Sequence, residues 1–125
     1  MSSSNALRLT GVLVATVCFG TFLSNAVAAE TAKDIYKTYC WQCHGMEGNG
    51  RGVNIPDMSV LPRDHTDAES MSARSDDDLF KVIKEGGQSI SKSVLMPAWG
   101  GNLSDEEIRA LVGYLRELCQ CKHGG

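Results

Sequence analysis

The stretch Cys40-Trp41-Gln42-Cys43-His44 decides how the rest of the chain is read. It has the form C-x-x-C-H, the attachment signature of c-type haem. Two thiols at this spacing can each add to one vinyl group of a porphyrin, leaving two thioether bonds. The imidazole directly after the second thiol then lies under the macrocycle and can bind the iron. Covalent attachment holds a redox cofactor on a protein too small to enclose it well. Two other readings use the same residues. A structural zinc site wants four protein ligands, usually as two spaced pairs. A thioredoxin-like dithiol needs a βαβ pattern, and the sequence has none. The motif therefore predicts one haem c, bound covalently by Cys40 and Cys43, with His44 as an axial ligand of its iron.

The N-terminus supports export. Residues 1–29 read as a secretory signal peptide cleaved near 28/29. Arg8 is followed by an uncharged apolar run from Leu9 to Leu23, and Ala26-Val27-Ala28 supplies an A-x-A site. An uncleaved anchor would need an apolar run of about 20 residues, longer than this one. Cys18 lies inside the run, but Val17 before it does not suit lipidation. The expected mature protein is one domain over 30–118 with a Cys-containing tail over 119–125, and the expected compartment is the periplasm. In bacteria c-type haem is attached outside the cytoplasmic membrane, where thiols meet oxidising conditions. A domain of this size has a limited core of its own, which a largely apolar haem would enlarge.

Three helices are expected in an all-α fold with long loops. The first runs from Thr31 to about Cys40, with Ala32, Ile35, Tyr36, Tyr39 and Cys40 on one face, Thr31 as N-cap and Asp34 at N3. The second is Asp76 to Glu85, capped by Ser75. Three aspartates fill its first turn, Leu79, Phe80, Val82 and Ile83 face inward, and Gly86-Gly87 ends it. The third opens on Ser104-Asp105-Glu106-Glu107, a full capping box, and carries the stripe Ile108, Leu111, Val112, Leu115, Leu118. Residues 45–75 and 86–103 read as loops.

An iron held by His44 has one further axial position. Met46 is too close to His44 to reach the opposite face, and Met58 and Met71 lie in the first long loop. Met96 lies in Val94-Leu95-Met96-Pro97-Ala98-Trp99-Gly100, a loop stiffened by Pro97 between two helices and suited to lie across a flat cofactor. A thioether is a soft iron ligand, and His/Met ligation raises the reduction potential. The alternative is Met96 as core filler.

With these pieces in order, the chain resembles a class I monohaem cytochrome c of the bacterial periplasmic kind. A helix leads into Cys40-x-x-Cys43-His44, and Gly45-Met46-Glu47-Gly48-Asn49-Gly50 resembles the family's glycine-rich continuation. Met96-Pro97-Ala98-Trp99-Gly100 resembles its distal-methionine loop, and Leu103-Ser104-Asp105-Glu106-Glu107 resembles the start of its C-terminal helix. The resemblance implies His44 as proximal and Met96 as distal ligand. It also implies a near-perpendicular crossing of the first and last helices, for which Gly113 beside Tyr114 is the candidate small residue. The family uses a proline carbonyl to accept a hydrogen bond from the proximal histidine, fixing its ring. Pro56 has the family spacing, and Pro62 is the rival, because Leu61-Pro62-Arg63-Asp64 resembles a segment of some bacterial relatives. An aromatic residue commonly follows that Asp; here it is His65, read as a solvated loop histidine or, less readily, as a competitor for iron.

The remaining candidates carry two readings each. Trp99 either packs on the haem edge and donates its indole N–H to a propionate, or is a core residue. Arg51, Arg63 and Lys92 are propionate partners or ordinary surface charge. The tail sequence Cys119-Gln120-Cys121-Lys122-His123 departs from the family. It reads first as a disordered tail whose thiols pair somewhere, in a strained disulfide two residues apart or in a disulfide-linked dimer through Cys119 or Cys121; the other reading, with His123, is a metal site. After residue 29 the chain has eleven basic and fifteen acidic residues, so it lacks the basic face that nucleic-acid binding requires. The expected function is periplasmic electron transfer between redox partner proteins, without catalysis by this chain. The alternatives are a haem-based sensor or small haem enzyme with an open sixth position, and a structural secreted domain stapled by Cys40 and Cys43.

Overall fold

Two serine–carboxylate capping boxes set where the main helices begin. In the computed structural model, which describes residues 31–124, Ser75 Oγ accepts from the Asp78 N–H while Asp78 accepts from the Ser75 N–H. Ser104 and Glu107 repeat the arrangement. The proposed signal peptide lies outside the described residues.

The described elements are all helical, with no strand. Helix α1 covers residues 31–39 and passes through a turn at Cys40 into α2, Trp41–His44. A 3-10 turn follows at Ile55–Asp57. Helix α3 is Ala68–Ser72, capped by Asp67, whose carboxylate accepts from the Ser70 N–H. Helix α4 is Asp76–Glu85, a second 3-10 turn is Gly87–Ile90, and α5 is Asp105–Cys119. The chain is already helical at residue 31. Helix α3 falls inside the stretch expected to be loop.

The core is where α1, α4 and α5 meet. Ile35 and Tyr36 of α1, Leu79 and Ile83 of α4, and Ile108, Leu111, Val112 and Leu115 of α5 form one buried cluster with Met71 and Leu103. Each such side chain contributes roughly 1.5–3 kcal/mol by leaving water. Tyr39, placed on the apolar face by its spacing, stays half exposed against Trp99. The contact between the first and last helices runs through Tyr36 and Tyr114, whose rings meet edge to face at 5.3 Å. Gly113 is not at this crossing: it is exposed, and a Cβ added there would meet nothing within 4 Å.

Arg116 ties the C-terminal half together. Its Nε donates to Asp76 Oδ1 at 2.8 Å, its Nη1 to the Met71 carbonyl at 2.8 Å, and its Nη2 to the Arg74 carbonyl at 2.6 Å. One guanidinium thereby caps the end of α3 and anchors the start of α4 to α5. The exposed Lys84–Asp105 pair, 2.7 Å apart, contributes far less, as surface pairs do.

The capping boxes predict an acid limb. Hydrogen bonds from the Ser75 side chain and backbone hold the Asp78 carboxyl below its ordinary range. The Ser104 backbone and side chain do the same for Glu107. Depressed native values stabilise the fold above the unfolded carboxylate range, and that stabilisation is lost as pH falls through the native values. Ser104→Ala should lower unfolding stability at neutral pH by about 1 kcal/mol. Thermal melts of this variant should also fall less steeply with acid than those of the wild type.

Candidate functional site

Cys40, Cys43 and His44 are held by one continuous turn. The Cys40 N–H donates to the Tyr36 carbonyl at 2.9 Å, and the His44 N–H donates to the Cys40 carbonyl at 2.9 Å. The segment that follows folds back on this turn: Gly52 N–H donates to the Cys43 carbonyl at 3.1 Å and Asn54 N–H to the Gln42 carbonyl at 3.0 Å. Gly52 permits this approach, because a Cβ there would overlap the carbonyl of Gln42. Both cysteines are unpaired and partly buried. Burial, with Cys43 as a smaller cause, pushes the Cys40 thiol up to about 12. That environment favours an uncharged sulfur, and a thioether sulfur is uncharged.

His44 is set for ligation by its hydrogen bond. Its Nδ1 lies 3.0 Å from the carbonyl oxygen of Arg63. A carbonyl only accepts, so Nδ1 carries the proton and Nε2 keeps its lone pair. Burial lowers the His44 pKa and favours the neutral ring that binds metals. The acceptor corrects the expectation from family spacing. Pro56 lies exposed in the 3-10 turn, and Pro62 is one residue short of the carbonyl used. The segment around Pro62 was the better pointer, displaced by one position.

His65, expected in solvent, is 8% exposed. Its ring stacks on His44 at 4.3 Å and 15°. Its Nδ1 lies 3.3 Å from the Tyr36 hydroxyl, which donates to the Gly45 carbonyl at 3.3 Å. One assignment satisfies both: His65 Nδ1–H donates to Tyr36, and Tyr36 donates to Gly45. Burial, then the neighbouring His44, holds the His65 pKa well below its usual value. A flat ring therefore follows Asp64, with a polar atom that Tyr36 satisfies.

Met96 sits on the other arm of the molecule. The Gly87 N–H donates to the Met96 carbonyl at 3.0 Å, and the Trp99 N–H donates to the Ile83 carbonyl at 3.0 Å. These bonds fold the loop back over the end of α4. Gly86, at φ +83°, makes room for it, since a Cβ there would lie 2.9 Å from the Ala98 nitrogen and 3.0 Å from the Met96 oxygen. Met96 and Trp99 are partly buried and pack against the core cluster, as do Cys40 and Trp41. Trp99 stacks obliquely on Tyr39, 5.0 Å between ring centres. Arg63, a candidate propionate partner, is engaged by Ser70 Oγ. Arg51 and Lys92 are exposed.

These residues fit a covalently bound haem. Two free thiols and an imidazole with its Nε2 lone pair available share one turn. Large apolar side chains stay exposed on the loops at either side: Val53, Val60 and Leu61 on one, Ile90, Val94 and Leu95 on the other. Such loops offer the apolar surface that a macrocycle needs. Arg63 O and His65 were missed as site members, although the resemblance of Leu61-Pro62-Arg63-Asp64 marked their segment.

At the tail, Cys119 and Cys121 form a disulfide within the chain. This replaces the expected dimer through either thiol, since both sulfurs are already paired. The geometry is accessible because Gln120 takes a left-handed conformation, φ 51° and ψ 38°. No cluster of three or more His, Cys, Asp or Glu able to hold a metal ion occurs among the described residues, so the Cys119/Cys121/His123 metal reading has no support.

Residues 27–115 match the family model described as cytochrome c oxidase, cbb3-type, subunit III. A curated relative, the cbb3-type cytochrome c oxidase subunit FixPc of Rhizobium leguminosarum bv. viciae, is 28% identical over 91 residues. That alignment covers 72% of this chain and 28% of the relative, so the chain spans well under a third of that protein. Among solved structures, one described as KustC0563 c-type cytochrome superposes with a TM-score of 0.57 at 28% identity. It covers 70% of this chain and 95% of its own. The Kuenenia stuttgartiensis reducing HAO-like protein complex Kustc0457/Kustc0458 gives a TM-score of 0.58 at 28% identity, covering 71% and 41% respectively.

Gly52→Ala should open the turn under His44. We expect a loss of about 1–3 kcal/mol, the usual cost of forcing extra volume into a close contact, and a lower yield of haem-loaded protein. Denaturant unfolding and haem absorbance per polypeptide measure the two effects; wild-type values for both would contradict the packing described.

Proposed function

The chain belongs to the c-type cytochrome family that the cbb3-type oxidase subunit III model describes, and from that premise we propose that it is an exported, single-haem electron carrier with His44 and Met96 as the axial ligands. The observation that carries the reading is the His44 tautomer: the Arg63 carbonyl takes the Nδ1 proton and leaves Nε2 as the donor atom. Haem, when bound, supplies a ferrous/ferric couple that passes one electron at a time. The chain's own residues do the rest. Cys40 and Cys43 anchor the cofactor covalently. Arg63 O and the His65 ring fix the plane of His44, and the hydrogen bond makes its imidazole more electron-rich.

Met96 is supported as the second ligand by position and by elimination. Met71 is fully buried in the core. Met46 is half exposed and two residues beyond His44. Met58 closes the 3-10 turn that follows the haem-attachment segment. Met96 is carried on a loop braced by backbone bonds from Gly87 to Met96 and from Trp99 to Ile83. With both axial positions filled by protein, no substrate need bind iron.

Its partners are proposed to be redox proteins, met in solution or within a larger oxidoreductase assembly, since FixPc is by its name a subunit of an oxidase. No described helix is long and apolar enough to cross a membrane. The periplasm is the proposed site, resting on the signal-like residues 1–29.

Ferric and ferrous spectra, with and without carbon monoxide, test the ligand pair. We expect a weak near-infrared methionine–iron band in the ferric protein and little reaction with carbon monoxide. Met96→Ala should lose the band, bind carbon monoxide, and fall in potential by on the order of 100 mV, a modest part of the ~0.8 V that axial ligands span. A wild-type protein that lacks the band and binds carbon monoxide rapidly would point to an open site and to sensing or catalysis.

A further inference from the structure

The proposed electron carrier leaves two sulfurs without a task. Cys119 and Cys121 are joined with only Gln120 between them, their Cα atoms 5.1 Å apart. A disulfide stabilises chiefly by shortening the freedom of the unfolded chain, and the gain shrinks with the loop it closes. A bridge across one residue has almost the smallest loop available, so holding the fold together is a weak reason for it. Gln120 between them takes the left-handed conformation, φ 51°, that closes α5.

The two sulfurs have unequal surroundings. Cys119 is 4% exposed and belongs to the core cluster. Cys121 is partly exposed and lines an open cavity between α3 and the end of α5, with Glu69, Ser72, Arg116, Glu117 and Lys122. The Arg116 guanidinium, fixed by Asp76 and two carbonyls, has Nη1 3.9 Å from Cys121 Sγ. Glu69 and Glu117 share the wall, but the cation is the group in contact with the sulfur. A neighbouring guanidinium favours the thiolate, the form that attacks and leaves in exchange reactions.

We propose that the Cys119–Cys121 pair is a thiol–disulfide exchange site, a two-electron centre separate from the haem, whose co-substrate is a dithiol. Cys121 is the accessible sulfur and Cys119 the buried resolving partner. In the reducing direction a thiolate of the co-substrate attacks Cys121 Sγ. The bond to Cys119 breaks, and Cys119 leaves as a thiolate and takes a proton. The second thiolate of the co-substrate attacks its own sulfur in the mixed disulfide, and Cys121 leaves as a thiolate facing Arg116. The co-substrate loses two electrons and two protons and becomes a disulfide; the pair gains both electrons and one proton, on Cys119, and the second proton goes to solvent while Cys121 stays a thiolate beside Arg116. The reverse sequence oxidises a dithiol pair on this chain at the expense of a partner disulfide.

The test uses the full exported protein in native buffer. After exposure to dithiothreitol, and separately to reduced glutathione, thiols are alkylated and located by peptide mass, which separates Cys119 and Cys121 from Cys40 and Cys43. We expect both alkyl groups on the C-terminal peptide after dithiothreitol, with the haem still on the peptide that holds Cys40 and Cys43. Reduction by glutathione as well would show that a monothiol also serves. Resistance to excess dithiothreitol in the folded protein would overturn the proposal, as would isolation of the pair as free thiols under non-reducing conditions. Cys119→Ser and Cys121→Ser assign the roles. With oxidised glutathione, Cys119→Ser should form a mixed disulfide at Cys121 at least about tenfold faster than Cys121→Ser forms one at Cys119. Equal rates, or a faster Cys119, would contradict the assignment.

Discussion

The hydrogen bond from His44 Nδ1 to the Arg63 carbonyl is the constraint on which the site depends. It fixes the tautomer, and with it the only atom of the ring that can bind a metal. The bond also requires that a segment nineteen residues away be held in place, and much of the fold serves that end. The His65 N–H is bound to the Gly48 carbonyl at 2.6 Å, and Arg63 is engaged by Ser70 of α3. Helix α3 is capped at its far end by Arg116 of α5. A chain of contacts therefore runs from the C-terminal helix to the imidazole without passing through a large core.

The core itself explains why a cofactor would be covalent here. The buried cluster joins three helices, but the loops between them leave Val53, Leu61 and Val94 more than 60% exposed. Water-exposed apolar side chains of this size are unrewarded unless something covers them. A haem tethered at Cys40 and Cys43 would supply apolar surface at a fixed point in the chain. The two arms that carry His44 and Met96 are each braced by backbone bonds, so the tether would meet a framework already shaped by its own hydrogen bonds.

What could be read from the sequence followed the strength of the local signal. Helix α4 and the start of α5 were legible to the residue because Ser75/Asp78 and Ser104/Glu107 are local capping boxes that need no tertiary partner. The C-x-x-C-H motif and the Met96 loop could be singled out as candidates because contiguous residues carry them. Helix α3 was not, because its five residues are too few for a periodic stripe and are held by Asp67 and by Arg116 from afar. Pro56 was placed by spacing alone, whereas the acceptor for His44 is set by how residues 48–65 close on themselves. His65 looked like a solvent residue because its partners, Tyr36 and His44, are distant in sequence. Gly113 suggested a helix crossing, but the contact is made by the neighbouring ring of Tyr114, which a small-residue rule does not anticipate.

The central claim is that a single haem is fixed to Cys40 and Cys43 in a chain processed near residue 28. The intact mass of the protein recovered from the periplasm, followed by peptide mapping, tests it most directly. The account predicts a polypeptide shortened at the A-x-A site, heavier by one haem, with that mass on the peptide holding Cys40 and Cys43. A full-length or shortened chain with no added haem, and with Cys40 and Cys43 open to alkylation, would contradict it.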